Sequence, residues 1–204
     1  MSVALSNPPT PAFQSADEDW LRRCRQGDLV AWRQLYDQQF ERVYRLVQRL
    51  GVPERDAADV CQEVFLRVHR GLGRFRGDAQ IGTWLFRIAL NESRRWGRLR
   101  GLRQALLALY SREPHAVPGQ PDEALARAEG WRELRGLLDQ LKPKLREAFV
   151  LFEIEELALD EVSAVLNVGA ETVKSRIKRA RAEFERLRRQ RALVVVAAGV
   201  GEQR

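Results

Sequence analysis

The sequence has very little of what metal centres, disulfide frameworks and membrane spans require. Its only cysteines are Cys24 and Cys61, and its only histidines are His69 and His115, too few for a zinc ligand set or a disulfide framework. Both cysteines are therefore interpreted as reduced thiols. The apolar run at 192–200 has nine residues, which is too short to cross a bilayer.

Signals for secretion and for β-strands are equally scarce. The first nineteen residues contain no Lys or Arg and no apolar run, which excludes a secretory signal of the usual form and predicts a cytoplasmic protein. The segment 1–16 holds three prolines and little that could join a core, so it is predicted to be disordered. Helical periodicity runs from about Asp17 onward, and the predicted fold class is all-α.

Charge indicates the kind of partner. The net charge of +7 favours an anionic partner, although 28 acidic residues mean that the basicity is local. Between positions 93 and 111 there are five arginines and no acid, and a second basic concentration lies between 174 and 191. No metal or nucleophile constellation accompanies these residues, which argues against an enzyme such as a nuclease and predicts no cofactor.

Breaks in the helical pattern divide the chain into two small modules. Three prolines and a glycine between 114 and 121 interrupt a polar stretch, which predicts a flexible linker whose first residues, LRQALLALY, could be helical. The apolar part of the C-terminal tail is either loosely packed or a segment that binds a partner. The predicted organisation is a first helical module over 17–100, a linker over 101–129, a second module over 130–190 and a tail over 191–204.

The segment 157–187 carries the strongest functional signal. A short apolar helix, a turn around Asn167 and Gly169, and a long basic helix follow in succession, and Asn and Gly enter tight turns at least cost. This order predicts a helix-turn-helix, although an amphipathic helix with a solvated basic face is the plain alternative. In the second helix an apolar stripe is predicted to face the core: Val173, Ile177, Ala180, Phe184 and Leu187. The opposite side is polar and basic, as expected where a helix meets phosphates and base edges.

The helix that contains DAADVCQEVFLRVHR has one unusual residue. Its apolar stripe is predicted to be buried and consists of Ala57, Val60, Cys61, Val64 and Val68. The far side carries Asp56, Asp59, Gln62, Glu63 and Leu66. An apolar side chain among acids on a solvent face is tolerable singly, but it is also typical of a protein-docking patch, and the residues alone favour neither interpretation.

A glycine-rich basic loop then leads into another helix. Leu85, Phe86, Ala89 and Trp96 are predicted to be on its buried side, and Trp84, Arg87, Asn91, Arg94 and Arg95 on the other. An exposed tryptophan beside arginine and asparagine matches the stacking platforms that hold single-stranded bases. Alternatively, Trp84 packs against the preceding helix.

Four segments together resemble one protein family. GDLVAWRQLYDQQ, DAADVCQEVFLRV, GTWLFRIALN and ETVKSRIKRAR are similar, in order and separation, to successive signatures of the sigma-seventy family of RNA polymerase sigma factors, of the extracytoplasmic-function type, group four. The resemblance covers residues 19–187. It implies two domains, a region 2 helical bundle and a region 4 helix-turn-helix, and a dissociable, non-catalytic subunit that directs core RNA polymerase to promoters and helps to melt them.

The resemblance also implies partners and roles. Core RNA polymerase would be bound through its β′ clamp helices and its β flap, and an anti-sigma factor is an implied partner. The polymerase-docking residues would be Asp56, Asp59, Gln62, Glu63 and Leu66. The minus-ten element of promoter DNA would be opened and held by Arg74, Phe75, Arg76, Asp78, Gln80, Trp84, Arg87, Asn91 and Arg94.

The minus-thirty-five element would lie against the basic helix. Glu171, Ser175 and Arg179 are the candidates for base edges, Lys174, Arg176 and Lys178 are those for phosphates, and Thr172 could approach a phosphate or cap the helix. Glu171 and Asn167 stand where the family commonly has glycine, which leaves the base contact of Glu171 open. A dimeric helix-turn-helix regulator is the alternative, but it gives Leu66, Trp84 and Asn91 no role.

Overall fold

The computed structural model describes residues 16–75, 80–110 and 125–201, with side chains over 21–75, 80–106 and 130–193. Within these ranges every regular element is helical and none is a strand, which confirms the all-α fold class. The segment predicted to be disordered, 1–16, lies outside the described residues except for Ala16, where the first helix begins.

Eight α-helices occupy the described residues, together with two short turns of other helix types. α4 continues through the start of the predicted linker, and α5 begins near the end of that linker. The helices are α1 Ala16–Arg25, α2 Leu29–Arg49, α3 Glu54–Gly71, α4 Ile81–Tyr110, α5 Leu125–Gln140, α6 Pro143–Phe149, α7 Leu159–Leu166 and α8 Ala170–Gly201. A 3-10 turn, Leu72–Arg74, follows α3, and a π-helical turn, Val150–Ile154, follows α6.

Local hydrogen bonds fix the start of α2. Asp28 is the N-cap, and its Oδ1 accepts the backbone N–H groups of Val30 at 2.8 Å and Ala31 at 3.2 Å. These are donors that the first turn of a helix otherwise leaves unpaired. The indole N–H of Trp32 donates to the carbonyl oxygen of Cys24 at 2.9 Å, which ties α2 to α1.

The first module is a bundle in which α2, α3 and α4 pack on one another. The stripe predicted for α3 is buried throughout, and so are Leu85, Phe86 and Ala89 of α4, while Trp96 is half-buried. Phe65 lies outside the predicted stripe but is also buried, with its ring centroid 4.8 Å from that of Tyr36. Burial of these apolar side chains is the main stabilisation of the bundle.

The second module is built around the widened turn after α6. The N–H of Glu155 donates to the carbonyl oxygen of Val150 at 2.9 Å, a five-residue step in place of the four of an α-helix. Glu156 follows with a φ of +56° and redirects the chain toward α7. This turn leaves the Glu155 side chain buried on the side that meets the first module.

The two modules pack directly on each other. A single cluster of buried apolar residues runs from Leu35 in α2 to Leu187 in α8, with α4 against α7 and α2 against α5. Sequence periodicity predicts two modules but not the contact between them. It shows that a helix has an apolar face, but not which other helix packs against that face.

α8 extends to Gly201, beyond the predicted second module. The side chains of 194–200 lie outside the described residues, and so does most of the prediction for the apolar tail. In the part of the chain that the structure describes, no helix is long and apolar enough to span a membrane.

Candidate nucleic-acid and polymerase interfaces

The helix-turn-helix forms as predicted, with Asn167 as its turning residue. Asn167 has φ 55° and ψ 51°, the left-handed conformation that commonly ends a helix. Gly169, in contrast, does not have a positive φ. Its carbonyl oxygen accepts the N–H groups of Thr172 and Val173 at 3.0 and 3.1 Å. The turn therefore depends on Asn167, which tolerates the left-handed conformation, and Gly169 lies immediately before α8.

The start of α7 lacks the usual polar cap. Ala158 occupies the N-cap position and has no side-chain acceptor. Glu161 reaches back instead, and its Oε2 accepts the N–H of Ala158 at 2.9 Å. This is one half of a capping box, and it satisfies a backbone donor that the alanine leaves open.

The predicted stripe of α8 faces the core. Val173, Ile177 and Ala180 are buried, Leu187 is 8% exposed and Phe184 is half-buried. At about 100° per residue, the opposite face is then open to solvent. All seven predicted minus-thirty-five residues lie on it or at its margin: Arg176 is half-buried, and Glu171, Thr172, Lys174, Ser175, Lys178 and Arg179 are exposed.

Two grooves flank this face. One is lined by Lys174 and Lys178 together with Phe152, Leu159 and Arg181. The other is strongly basic and is lined by Thr172, Arg176, Arg179, Arg186 and, from the start of α6, Lys142 and Lys144. Sequence reasoning missed the two lysines, because they precede α8 by about thirty residues and share no periodic stripe with it.

Glu171 is paired within its own helix. Its Oε1 lies 2.7 Å from the Nζ of Lys174, and both side chains are exposed. Part of the positive charge of Lys174 is therefore balanced locally. Lys178 and Arg179 lie further along the helix, one in each groove.

The predicted docking face of α3 is open. Asp59, Gln62 and Glu63 are exposed, Asp56 is half-buried, and Leu66 is 47% exposed between the acids. An accessible leucine surrounded by carboxylates can contribute apolar contact, while the carboxylates pair with cations of a partner.

Two aromatic residues of the predicted minus-ten face are less accessible than expected. Trp84 is half-buried, with its ring centroid 5.1 Å from that of Phe75, and Phe75 is only 9% exposed. Trp84 fits there because Gly71 has no side chain, and a Cβ at Gly71 would lie 3.2 Å from the indole. Arg25 donates to the carbonyl oxygens of Leu72 and Phe75 and fixes the turn. Trp84 is therefore half-buried because it packs against α3, which was the alternative interpretation. Phe75, which was predicted to contact DNA, is a buried core residue.

The remaining residues predicted to contact the minus-ten element fall into three groups. Arg74, Gln80, Arg87 and Asn91 are exposed. Arg76 and Asp78 lie outside the described residues. Arg94 is not free, because its guanidinium pairs in two places with Glu147 of α6, at 2.8 and 2.7 Å. The hydrogen bonds from Arg94 to Glu147 are the main cause that raises the pKa of this guanidinium above its usual value.

Comparison with protein families assigns both modules. Residues 35–103 match the family described as Sigma-70 region 2, and residues 131–184 match that described as Sigma-70, region 4. The predicted polymerase and minus-ten residues fall in the first match and the minus-thirty-five residues in the second.

Curated relatives agree with this assignment. The chain is 32% identical to the RNA polymerase sigma-H factor of Pseudomonas aeruginosa over 85% of this chain and 94% of that protein. It is 38% identical to the ECF RNA polymerase sigma factor SigE of Mycolicibacterium smegmatis over 78% of this chain, and it spans 62% of the length of that relative. The fold and the open helix-turn-helix define a DNA-binding protein of two helical modules. The chain belongs to the sigma-70 family of RNA polymerase sigma factors, whose members direct transcription initiation, and within that family to the ECF type.

Solved structures support the fold. CnrH in complex with the cytosolic domain of CnrY aligns with a TM-score of 0.65 at 28% identity, over 85% of this chain and 97% of that chain. The sigma factor RpoE of Bartonella quintana, in complex with the anti-sigma factor NepR, aligns with a TM-score of 0.62 at 21% identity, over 77% of this chain and 96% of that chain.

Proposed function

We propose that this protein is a group-four sigma factor that binds core RNA polymerase in the cytoplasm, directs it to a set of promoters and assists the melting of the minus-ten element. The observation that carries the proposal is the presence on one chain of both sigma regions, with an accessible α8 face and an accessible acidic face around Leu66. Bond formation belongs to the polymerase.

We assign polymerase docking to the α3 face, which would meet the β′ clamp helices, and a contact with the β flap to the second module. In the minus-ten region, the exposed Arg87 and Asn91 follow the half-buried Trp84 on the same side of α4, and we assign the accessible part of the indole to contact with a base. Arg87 supplies a cation for phosphate and Asn91 supplies hydrogen-bonding groups for a base edge.

In the second module, the exposed face of α8 would enter the major groove of the minus-thirty-five element. The basic groove beside Arg179 would follow one phosphate strand, with Lys142, Lys144 and Arg186 added to the predicted contacts. An anti-sigma factor is a further proposed partner, since RpoE of Bartonella quintana was solved with the anti-sigma factor NepR and CnrH was solved with the cytosolic domain of CnrY. A dimeric regulator is not favoured, because it gives region 2 no task.

The test is run-off transcription with purified chain and core polymerase from a related bacterium on a genomic promoter library. We expect transcripts that start at a small set of sites and that require both components. The proposal fails if adding the chain changes no start site, provided that a known sigma factor activates the same core enzyme.

A further inference from the structure

A small second core lies beneath the proposed minus-ten face. Its buried side chains come from α1, α2, the 3-10 turn after α3 and the start of α4, and it is distinct from the main apolar cluster. The half-buried indoles of Trp32 and Trp84 pack against both clusters. The buried members are Leu21, Cys24, Ala31, Leu72, Phe75 and Ile81. The turn and the start of α4 are therefore supported by α1, an element to which the proposed function assigns no contact.

One side chain of α1 ties the 3-10 turn at both ends. Arg25 is the last residue of α1, and its Nε donates to the carbonyl oxygen of Leu72 at 3.4 Å, while its Nη2 donates to that of Phe75 over a shorter distance. Carbonyl groups at the end of a helix lack partners within that helix. A planar guanidinium presents its N–H groups as a fixed fork, so two such bonds fix the separation of the two acceptors. Arg25 therefore sets the shape of the turn.

The backbone of Arg25 is itself fixed to α2. The preceding residue, Cys24, is 3% exposed, and its carbonyl oxygen accepts the indole N–H of Trp32 at 2.9 Å. Arg23 pairs with Asp28, the N-cap of α2, at 2.7 Å. Because the end of α1 is anchored in this way, the hydrogen bonds of Arg25 hold the turn at a defined place in the bundle.

Trp84 contacts both sides of this turn. The Phe75 ring is 9% exposed, and its centroid lies 5.1 Å from that of the indole. A Cβ on Gly71, the residue before the turn, would lie 3.2 Å from the indole. A shift of the turn would therefore change both contacts of Trp84. Side chains that bind a ligand need supporting hydrogen bonds that hold them to within about 0.5 Å.

We infer that Arg25 is a positioning residue for the minus-ten contact of Trp84. It fixes the turn against which the indole packs, and so keeps the indole in reach of the base. The inference rests on the proposed function through the role given to Trp84. Arg25 is exposed, and substitutions of exposed residues change stability little, so its effect falls on the contact with DNA.

A direct contact between Arg25 and a DNA phosphate is the competing explanation. Positioning needs the two-point geometry of the guanidinium, whereas binding of a phosphate needs its positive charge. Arg25→Lys keeps the charge and loses the fork, and Arg25→Ala loses both. The two variants together therefore separate the two roles.

The first experiment follows the indole without DNA. The full chain is labelled with fluorotryptophan, the fluorine resonances of Trp84 and Trp131 are assigned by their loss in phenylalanine variants, and far-UV circular dichroism checks that the helices persist. Arg25→Ala and Arg25→Lys should each shift the Trp84 resonance and leave that of Trp131, in the second module, unchanged. Arg33→Ala is the control, since Arg33 is an exposed arginine of α2 that pairs with Asp37 at 2.9 Å. An unchanged Trp84 resonance in both Arg25 variants would overturn the inference.

The second experiment measures the contact with DNA. Holoenzyme assembled from core polymerase and the full chain is titrated with a forked oligonucleotide that carries the minus-ten strand of a promoter found by run-off transcription. Both Arg25 variants should bind this fork at least about fivefold more weakly, and the same fork with abasic sites less than about twofold more weakly, because stacking needs a base. The slope of log affinity against log salt should stay that of the wild type. Wild-type affinity in Arg25→Lys, with a reduced slope in Arg25→Ala, would establish the phosphate contact and refute positioning.

The same titration in a Trp84→Ala background tests whether Arg25 acts through the indole. There Arg25→Ala should change the affinity for the fork by less than about twofold, because the side chain that it positions is gone. Equal losses in both backgrounds would contradict the inference. If the Arg25 variants shift the Trp84 resonance but the wild-type holoenzyme starts no promoter-specific transcript, the support of the indole by Arg25 is upheld and the proposed function fails.

Discussion

At the scale of single residues, Leu66 gives the most direct test of polymerase docking. It is 47% exposed between carboxylates, so Leu66→Glu should leave the core intact while it adds a charge to the contact. We expect at least about a tenfold loss of affinity for core polymerase, measured by co-elution and fluorescence anisotropy. Leu29→Glu is the control, because Leu29 is 81% exposed at the start of α2. Equal binding by wild type and Leu66→Glu would refute the docking assignment.

Lys178 and Arg179 are neighbours on α8 that line opposite grooves. Lys178→Ala should weaken binding to every duplex and reduce the slope of log affinity against log salt by about one, because it removes one phosphate contact. Arg179→Ala should instead relax sequence preference at one base pair by about 1–3 kcal/mol. Salt titrations on cognate and scrambled minus-thirty-five duplexes separate the two effects. Identical behaviour of both variants would show that the face assignment is wrong.

The two thiols should be unreactive in the folded chain. Burial raises the pKa of Cys24 to about 11 and that of Cys61 to about 12, so almost no thiolate is present at pH 8. We expect negligible labelling by iodoacetamide at pH 8 and complete labelling in urea, followed by intact mass. Rapid labelling of the folded chain would show that at least one of the two thiols is accessible to solvent, contrary to this prediction.

Burial was more predictable than pairing. The α3 stripe from Ala57 to Val68 follows from spacing alone, since a helical period fixes which side chains share a face. The engagement of Arg94 by Glu147 does not follow, because its partner is 53 residues away. Trp84 is a second example, since it was predicted on the exposed side of its helix but is half-buried, in a position that depends on the absence of a side chain at Gly71.

At the scale of secondary-structure elements, the turn of the helix-turn-helix depends on Asn167. Its φ of 55° disfavours residues with a Cβ and favours glycine. Asn167→Val should lower the free energy of unfolding by about 1–2 kcal/mol, whereas Asn167→Gly should change it little. Urea denaturation measures both. Gly169→Ala is the matched control and should be tolerated, because φ is not positive there and a Cβ would meet nothing within 4 Å.

The π-helical turn was beyond prediction from the sequence. VLFEI has ordinary helical periodicity, and the Glu155 side chain that follows the turn pairs with Arg49 of α2, a residue 106 positions away. The helix-turn-helix after it was predictable because turn chemistry and periodicity coincide there. Local signals thus located the DNA-binding element, while the element that joins the modules is specified by contacts distant in sequence.

At the scale of the whole molecule, the shared core makes the two modules stabilise each other. One apolar cluster spans both, and buried ion pairs lie beside it. A substitution at the contact should therefore increase local opening in residues of both modules. A substitution on the outer surface of α2 should not. Arg49 and Arg45 of α2 allow this comparison within one helix.

Arg49→Ala removes the arginine nearest to Glu155 and leaves the carboxylate buried with only Arg42 at 3.7 Å. Removing one member of a buried pair costs about 3–5 kcal/mol when the other charge stays buried. Since separation of the two modules would hydrate the Glu155 carboxylate, we expect local opening before global unfolding. Hydrogen exchange should accelerate in α5, α6 and α7 and at the end of α2, but not in the centre of α3.

Arg45→Ala is the control, since Arg45 pairs with Glu41 at 2.7 Å on the exposed side of α2 and such pairs contribute about 0.3–0.5 kcal/mol. Its exchange pattern should match that of the wild type. Faster exchange throughout α3 in Arg49→Ala would mean that the first module unfolds when the contact is lost. Protection of α3 together with loss of protection in α6 and α7 would show that each module keeps its helices while the contact between them opens.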